Sequence, residues 1–285
     1  MFEVLEVRSG IDWLTVRAEG EEAGRELANL SWYILQENTT ELPSPRSAKL
    51  AMYEGWRAGP LGLMVHEDRT LLSLAGHFAQ RYFERVVVID AKATRIDLAV
   101  DVMLDEPVLA ATSAYARLVR AVEKEERAGY KSKFTLMTGS DKGSTLYLGR
   151  RSSAHFSRLY DKGIESETEK VGRLWRYEVE YKQSAAQPCF LAVALAGDRN
   201  DLILGLVHRH FVDRGVQPLF HIDSRPALLQ RETTEKTPLD TLNWLAAQVR
   251  PAVGRLRLAG YEKEVYNSLG LDWQDQSSHT STEVE

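Results

Sequence analysis

The stretch "TRIDLAVDV", residues 94–102, constrains the fold more than any other part of the chain. Ile96, Leu98 and Val100 alternate with Arg95, Asp97, Ala99 and Asp101. Side chains two apart on a strand share a face, so this segment reads as a strand with one apolar and one polar side. Such a strand belongs in an antiparallel sheet with one face packed and the other wet. Two later segments repeat the pattern. "HFSRLYDKG" places Arg158, Tyr160 and Lys162 at a spacing of two. "LWRYEVEYKQ" sets Tyr177, Val179 and Tyr181 against Arg176, Glu178, Glu180 and Lys182.

The rest of the chain supplies partners for such a sheet. "FEVLEV" and "IDWLTVRA" read as strands around a turn at Ser9-Gly10, and "EEAGRELANLSWYILQEN" reads as a helix with acids in its first turn. Short strands follow to about residue 75, with a helix starting near Gly76. "EPVLAATSAYARLVRAVEKEERAG" is a helix bounded by proline and glycine. After Pro188 the segments "CFLAVALA", "RNDLILGLVHRHFVDRG", "TPLDTLNWLAAQVRPAVGRLRLAG" and "YEKEVYNSLGL" all read as helices. The expected fold class is α+β: a curved, largely antiparallel sheet with helices on one face, followed by a helical C-terminal section. The expected organisation is an α+β catalytic body over 1–185, helices over 186–272, and a polar, disordered tail over 273–285.

With 285 residues and a single cysteine, Cys189, the chain excludes a disulfide framework and a cysteine-rich zinc site. No apolar run reaches the length of a membrane span, and the start lacks a signal region, so a cytoplasmic protein is expected. The formal net charge of −5 argues against indiscriminate binding to nucleic acid. That charge is unevenly spread: residues 1–40 carry three Arg against eight acids, whereas 142–182 carry nine Lys/Arg against six acids. The basic middle is suited to phosphate contacts.

If the three alternating strands share a sheet with their polar sets in phase, carboxylates, cations and tyrosine meet on one surface. Carboxylates from separate strands suit Mg²⁺ or Mn²⁺. A tyrosine beside a metal ion or a cation has its phenolate favoured and can act as a nucleophile. The same alternation also describes a solvated sheet face crossed by Arg–Glu pairs. Tyr147 and Tyr160 are both available as nucleophiles, while Tyr177 and Tyr181 fall on the apolar phase and read as core. His208 and His210 are two apart in a helical context, so they point apart and make a poor metal pair. "GRRSS" is a hairpin turn whose Arg150, Arg151 and Ser152 are candidate phosphate contacts.

The order of "GIDWLTV", "YEGWRAGPLGLMV", "TRIDLAVDV", "STLYLGRRSSAHFSRLYDKGIES" and "LWRYEVEYK" is similar to that of the replication initiation factor family. These are initiators of rolling-circle plasmids, with relatives in phages and integrative elements. The resemblance runs from about residue 10 to 185 and more loosely through "TLNWLAAQVRPAVGRL". It implies a metal-dependent nickase in which a tyrosine forms a covalent 5′-phosphotyrosine and leaves a 3′-hydroxyl primer. Carried onto this sequence, the nucleophile is Tyr160, with Tyr147 as the alternative. Asp97 and Glu178 are the implied ligands of Mg²⁺ or Mn²⁺, with Asp101 third. Arg158, Lys162 and Arg176 stabilise the scissile phosphate, and Arg95 holds a carboxylate or phosphate. Origin DNA, single-stranded or melted at the nick, is the implied partner, with a host helicase and a second copy of the chain as further ones. Arg250, Arg255, Arg257 and Lys263 are candidates for reading the origin. A relaxase with the same chemistry, a metal nuclease using water, and an inactive DNA-binding regulator are the competing readings.

Overall fold

A computed structural model describes residues 3–107, 134–139, 143–220 and 261. Among the described residues ten strands form one open sheet: β1 (Val4–Glu19), β2 (Arg46–Leu50), β3 (Tyr53–Ala58), β4 (Leu61–His66), β5 (Arg69–Ala75), β6 (Lys92–Leu104), β7 (Phe134–Gly139), β8 (Gly143–Leu148), β9 (His155–Asp161) and β10 (Leu174–Lys182). Their order across the sheet is β2-β3-β4-β5-β1-β6-β10-β9-β8-β7, and every neighbouring pair is antiparallel. The α+β class expected from the alternation is the observed one. Strands β1 and β6 lie at the centre, and the two wings of hairpins extend to either side.

One face of the sheet is apolar and carries the helices. Leu14 and Val16 of β1, Ile96, Leu98 and Val100 of β6, and Tyr177 and Val179 of β10 are buried in a single core. Helix α1 (Glu21–Glu37) adds Leu27, Leu30 and Ile34, spaced three and four apart as one helical face requires. Gly24 in α1 lets β5 approach, since a Cβ there would lie 2.8 Å from the Thr70 hydroxyl. Two short helices, α2 (His77–Arg81) and α3 (Phe83–Val87), follow β5, and a one-turn helix, α4 (Lys162–Glu165), follows β9. After β10 come α5 (Ala186–Leu195) and α6 (Arg199–Val212), which contribute Cys189, Phe190, Val207 and Phe211 to the same core. The Phe211 and Phe220 rings meet Tyr177 edge-on, at 5.1 and 5.3 Å between centroids. Tyr177 and Tyr181 are core, as their phase implies.

Two local expectations are corrected. Ser9-Gly10 is not a turn: β1 runs through it as one strand of 16 residues, with irregularities near Ile11–Trp13 and Thr15–Val16. Glycine serves there for close approach, because a Cβ on Gly10 would lie 2.7 Å from the Gln80 amide oxygen. Lys162 is not on a strand either. β9 stops at Asp161, whose carboxylate accepts hydrogen bonds from the Gly163 and Ile164 amides and so caps α4.

The chain divides into two compact units, Met1–Arg231 and Glu232–Glu285. The helical section expected from 186 begins with α5 and α6, which belong to the first unit. The helix expected over "EPVLA…", the residues Arg250, Arg255, Arg257 and Lys263, and the tail from 273 lie outside the described residues. Among the described residues no helix is long and apolar enough to cross a membrane.

Candidate active site on the polar face

The strand register puts the polar phases of β6, β10 and β9 on one side of the sheet. Asp101 of β6 lies opposite Arg176 of β10, which lies opposite Tyr160 of β9. In the next row Ala99, Glu178 and Arg158 are aligned, followed by Tyr147 of β8. One row further are Trp13, Asp97, Glu180 and Phe156. Asp97, Asp101, Arg158, Tyr160, Arg176 and Glu178 therefore share a surface: alternation gave each strand its polar side, and the pairing of β6, β10 and β9 brings those sides together.

Ion pairs organise that surface. The Tyr160 hydroxyl, in a residue only 6% exposed, donates to Glu178 Oε2 at 3.3 Å. Arg158 donates to the other oxygen of Glu178 at 2.6 Å, and its guanidinium carbon lies 5.4 Å from the Tyr160 ring centre. Lys162 Nζ lies 6.0 Å from the same ring, so the lysine stays beside the tyrosine although it has left the strand. Arg176 grips Asp101 with two hydrogen bonds of 2.6 and 2.7 Å and reaches Asp12 with a third of 2.6 Å. Arg95 grips Asp97 in the same two-pronged way, at 2.8 and 2.5 Å. The Arg158 Nε is a buried donor with no partner among the described residues.

Burial dominates the protonation behaviour. Asp97 is pushed up from its ordinary 3.8 to about 7, first by burial and then by Glu178 and Glu180, against the pull of Arg95. Burial likewise raises Glu178, with Arg158 opposing it. The Tyr160 phenol is held well above its ordinary value by burial and by Glu178, although Arg176 and Arg158 pull it down. The neighbouring cations do pull toward the phenolate, but burial outweighs them, and the resting group is a phenol hydrogen-bonded to Glu178. A nucleophile and an adjacent base in contact are still the pair that nucleophilic catalysis requires.

The three expected metal ligands do not converge. Asp97, Glu178 and Asp101 sit in three different rows, each joined to its own arginine. Among the described residues no three histidine, cysteine or acidic side chains form a group that could hold an ion. The donor set is still of the right chemistry for a hard cation at Asp97 and Glu178. Asp97 senses the charge of Glu178, and burial raises both carboxyl groups despite their arginines, so added positive charge would relieve them.

Arg150, Arg151 and Ser152 are exposed in the turn between β8 and β9, which Gly149 enters at φ +86°. The turn lies against the far end of the same face: Lys182 donates to the Arg151 carbonyl at 2.5 Å, and the Arg151 guanidinium lies 5.3 Å from the Phe156 ring centre. Tyr147 stacks on Phe156 at 5.7 Å, two residues along from the Glu178–Tyr160 contact. His210 is buried on α6 with its Nε2 3.0 Å from the Ser157 hydroxyl. Sequence reasoning missed Asp12, the third partner of Arg176, and Trp13, over whose ring Arg95 lies at 4.7 Å. Both stand at the irregularity in β1, where a simple alternation cannot be followed.

Fold and site together define an α+β protein whose open antiparallel sheet carries tyrosine, arginine and carboxylate side chains on one face. The replication initiation factor family matches residues 91–266, and the chain belongs to that family. Among solved structures it is similar to a rolling circle replication initiator protein from Geobacillus stearothermophilus, at 16% identity and a TM-score of 0.51. That alignment covers 79% of this chain and 94% of the other, and it supports the fold. The regulatory subunit of aspartate kinase from Thermus thermophilus aligns at 13% identity over 67% of this chain and 95% of that one, with a TM-score of 0.17, which carries no argument. No curated protein matches the chain.

Proposed function

We propose that this protein is a rolling-circle replication initiator that nicks and rejoins DNA through Tyr160. The observation that carries the reading is the hydrogen bond from the Tyr160 hydroxyl to Glu178, with Arg158 and Arg176 at either side. Tyr160 Oη attacks the scissile phosphorus while its proton passes to Glu178. The bond from phosphorus to the 3′-oxygen breaks, and that oxygen takes a proton from solvent and leaves as a 3′-hydroxyl. The product is a 5′-phosphotyrosine. The partly exposed Arg158 guanidinium is a donor for a phosphoryl oxygen, and Lys162 adds charge beside the ring. Arg176 positions the row by tying β10 to Asp101 and Asp12. Asp97 would hold Mg²⁺ or Mn²⁺, with Glu178 a ligand only before it takes the Tyr160 proton, and the ion when bound would supply charge to the phosphoryl oxygens.

The test uses supercoiled DNA carrying the gene and its flanks, with Mg²⁺ or Mn²⁺ added. Wild type is expected to give nicked circles and a denaturant-resistant adduct that Tyr160→Phe abolishes and Tyr147→Phe retains. Nicking without an adduct would assign the reaction to water instead. A second reading, a DNA-binding regulator without catalysis, is favoured by one observation: each expected metal ligand is already paired with an arginine. It requires specific binding with no metal dependence.

A further inference from the structure

The rows of the polar face do not stop at β6. Arg95 lies opposite Thr15 of β1, Thr15 opposite Ser73 of β5, Ser73 opposite Gly62 of β4, Gly62 opposite Arg57 of β3, and Arg57 opposite Arg46 of β2. On the other side Arg95 faces Lys182 of β10. One row thus crosses seven strands on the side that holds the candidate site, with cations and hydroxyls on six of them and Gly62 on the seventh. At about 4.8 Å per strand it is roughly 29 Å long. Most of it lies before residue 91, outside the stretch that matches the family.

Three observations make this row more than a solvated edge. Arg46 and Arg57 are directly opposed and exposed, and among the described residues neither pairs with a carboxylate. Like charges in that relation repel unless an anion lies between them. The Arg57 side chain is also directed inward along the row: its Nε comes 3.4 Å from where a Cβ of Gly62 would stand, and its guanidinium lies over the Trp13 ring at 5.6 Å. Trp13 therefore holds Arg57 and Arg95 together, so little conformational freedom is lost when they take up a ligand. The third observation is the distribution of acids. Across strands β2 to β5 the one carboxylate is Glu54, and it pairs with Lys49 on the opposite face. The Thr15 and Ser73 hydroxyls, 3.1 Å apart, supply neutral donors between the cations.

We propose that this row is a track for single-stranded DNA that leads into the active site from the β2–β3 hairpin. The proposal rests on the nicking reading for the identity of the strand, and it assigns the amino-terminal wing to holding the flank of the nick. Lys182 and Glu178 are four residues apart on β10, roughly 13 Å. The track thus contacts phosphates a few nucleotides from the scissile one. An extended single strand crossing a sheet on cations and hydroxyls is bound without regard to base, and its affinity depends on salt.

The experiment compares wild type with Arg46→Ser/Arg57→Ser, in which both changes are exposed and urea unfolding confirms an intact fold. Anisotropy of a fluorescein-labelled single strand is titrated across salt concentrations, with the matching duplex in parallel. Loss of two phosphate contacts is expected to lower the slope of log affinity against log salt by about 1.4 and the single-strand affinity about tenfold or more. Arg46→Lys/Arg57→Lys keeps the charge and is expected to restore the slope. An unchanged slope, no single-strand binding by wild type, or an equal loss on duplex overturns the track. The Tyr160-dependent adduct is read separately, so a failed nicking reading shows as a missing adduct with the salt slope intact.

Discussion

Asp97→Asn is the substitution whose effect the structure specifies most fully. Asp97 is 1% exposed and ionises near pH 7 in the folded chain against 3.8 ordinarily. Its folded value is raised, so the folded state binds the proton more tightly than the unfolded chain does. That contribution is fully present below about pH 4 and is lost as pH rises through about 7. The stability lost between these limits is on the order of a few kcal/mol by pH 8. Asparagine keeps the shape and never ionises, and Arg95, with a side chain 30% exposed, can turn to water. The Asp97→Asn variant is therefore expected to match wild type near pH 4 and to exceed it by a few kcal/mol above pH 7. Urea unfolding from about pH 4 to about pH 9 measures the difference. Mn²⁺ is expected to stabilise wild type at the high end and the variant little, because only an ionised carboxylate is a useful ligand. Parallel stability curves for the two proteins would refute the argument, since they would mean that Asp97 is already ionised at little cost.

Other consequences follow from single contacts. Asp161→Ala removes an acceptor that serves Gly163, Ile164 and Gly172, the last at 2.6 Å, and is expected to cost about 1–2 kcal/mol in thermal unfolding while releasing Lys162 from the Tyr160 ring. His210 is held below its ordinary value by burial, then by Arg214 and His155, so it stays neutral when folded. Its contribution is present above about pH 6.5 and is lost as pH falls, so His210→Gln is expected to flatten the acid limb of the stability curve. Gly55→Ala would bring a Cβ to 2.0 Å from the Leu63 carbonyl oxygen across the β3–β4 pair, and is expected to cost about 1–3 kcal/mol in urea unfolding.

What could be read in advance depended on how far periodicity reached. Alternation in β6, β9 and β10 was strict, so the polar phase of Asp97, Tyr160 and Glu178 within each strand was legible, whereas their meeting on one surface depended on a pairing that no single strand records. Where the period broke, the reading broke too. The irregularity at Ile11–Trp13 in β1 hid Asp12 and Trp13, and Ser9-Gly10 looked like a turn because glycine's use for close approach of Gln80 depends on a residue far along the chain. The end of β9 was misplaced by one residue because Asp161 acts as a helix cap, and a one-turn helix has too few residues to show a period. Protonation was the least legible feature. Burial governs Tyr160 and Asp97, and burial is a property of the assembled sheet.

An acidic chain and the proposed phosphate-binding face are reconciled by where the acids lie. On β6 and β10 each acid on the polar face has an arginine within hydrogen-bonding or ion-pair reach: Asp97 and Glu180 share Arg95, Asp101 has Arg176, and Glu178 has Arg158. A phosphate arriving there competes for guanidinium donors that are already engaged, so approach to the centre is resisted until an arginine is shared. On β2 and β3 the opposed pair Arg46 and Arg57 has no such partner among the described residues and is the first to attract an anion. The proposed track and the proposed nicking site thus divide the sheet: unopposed charge lies on the wing, and at the centre each carboxylate is positioned by an arginine. Reversing the charge of the wing should therefore weaken capture of the strand, while the rate of adduct formation at saturating DNA stays set by Tyr160, Glu178 and Arg158.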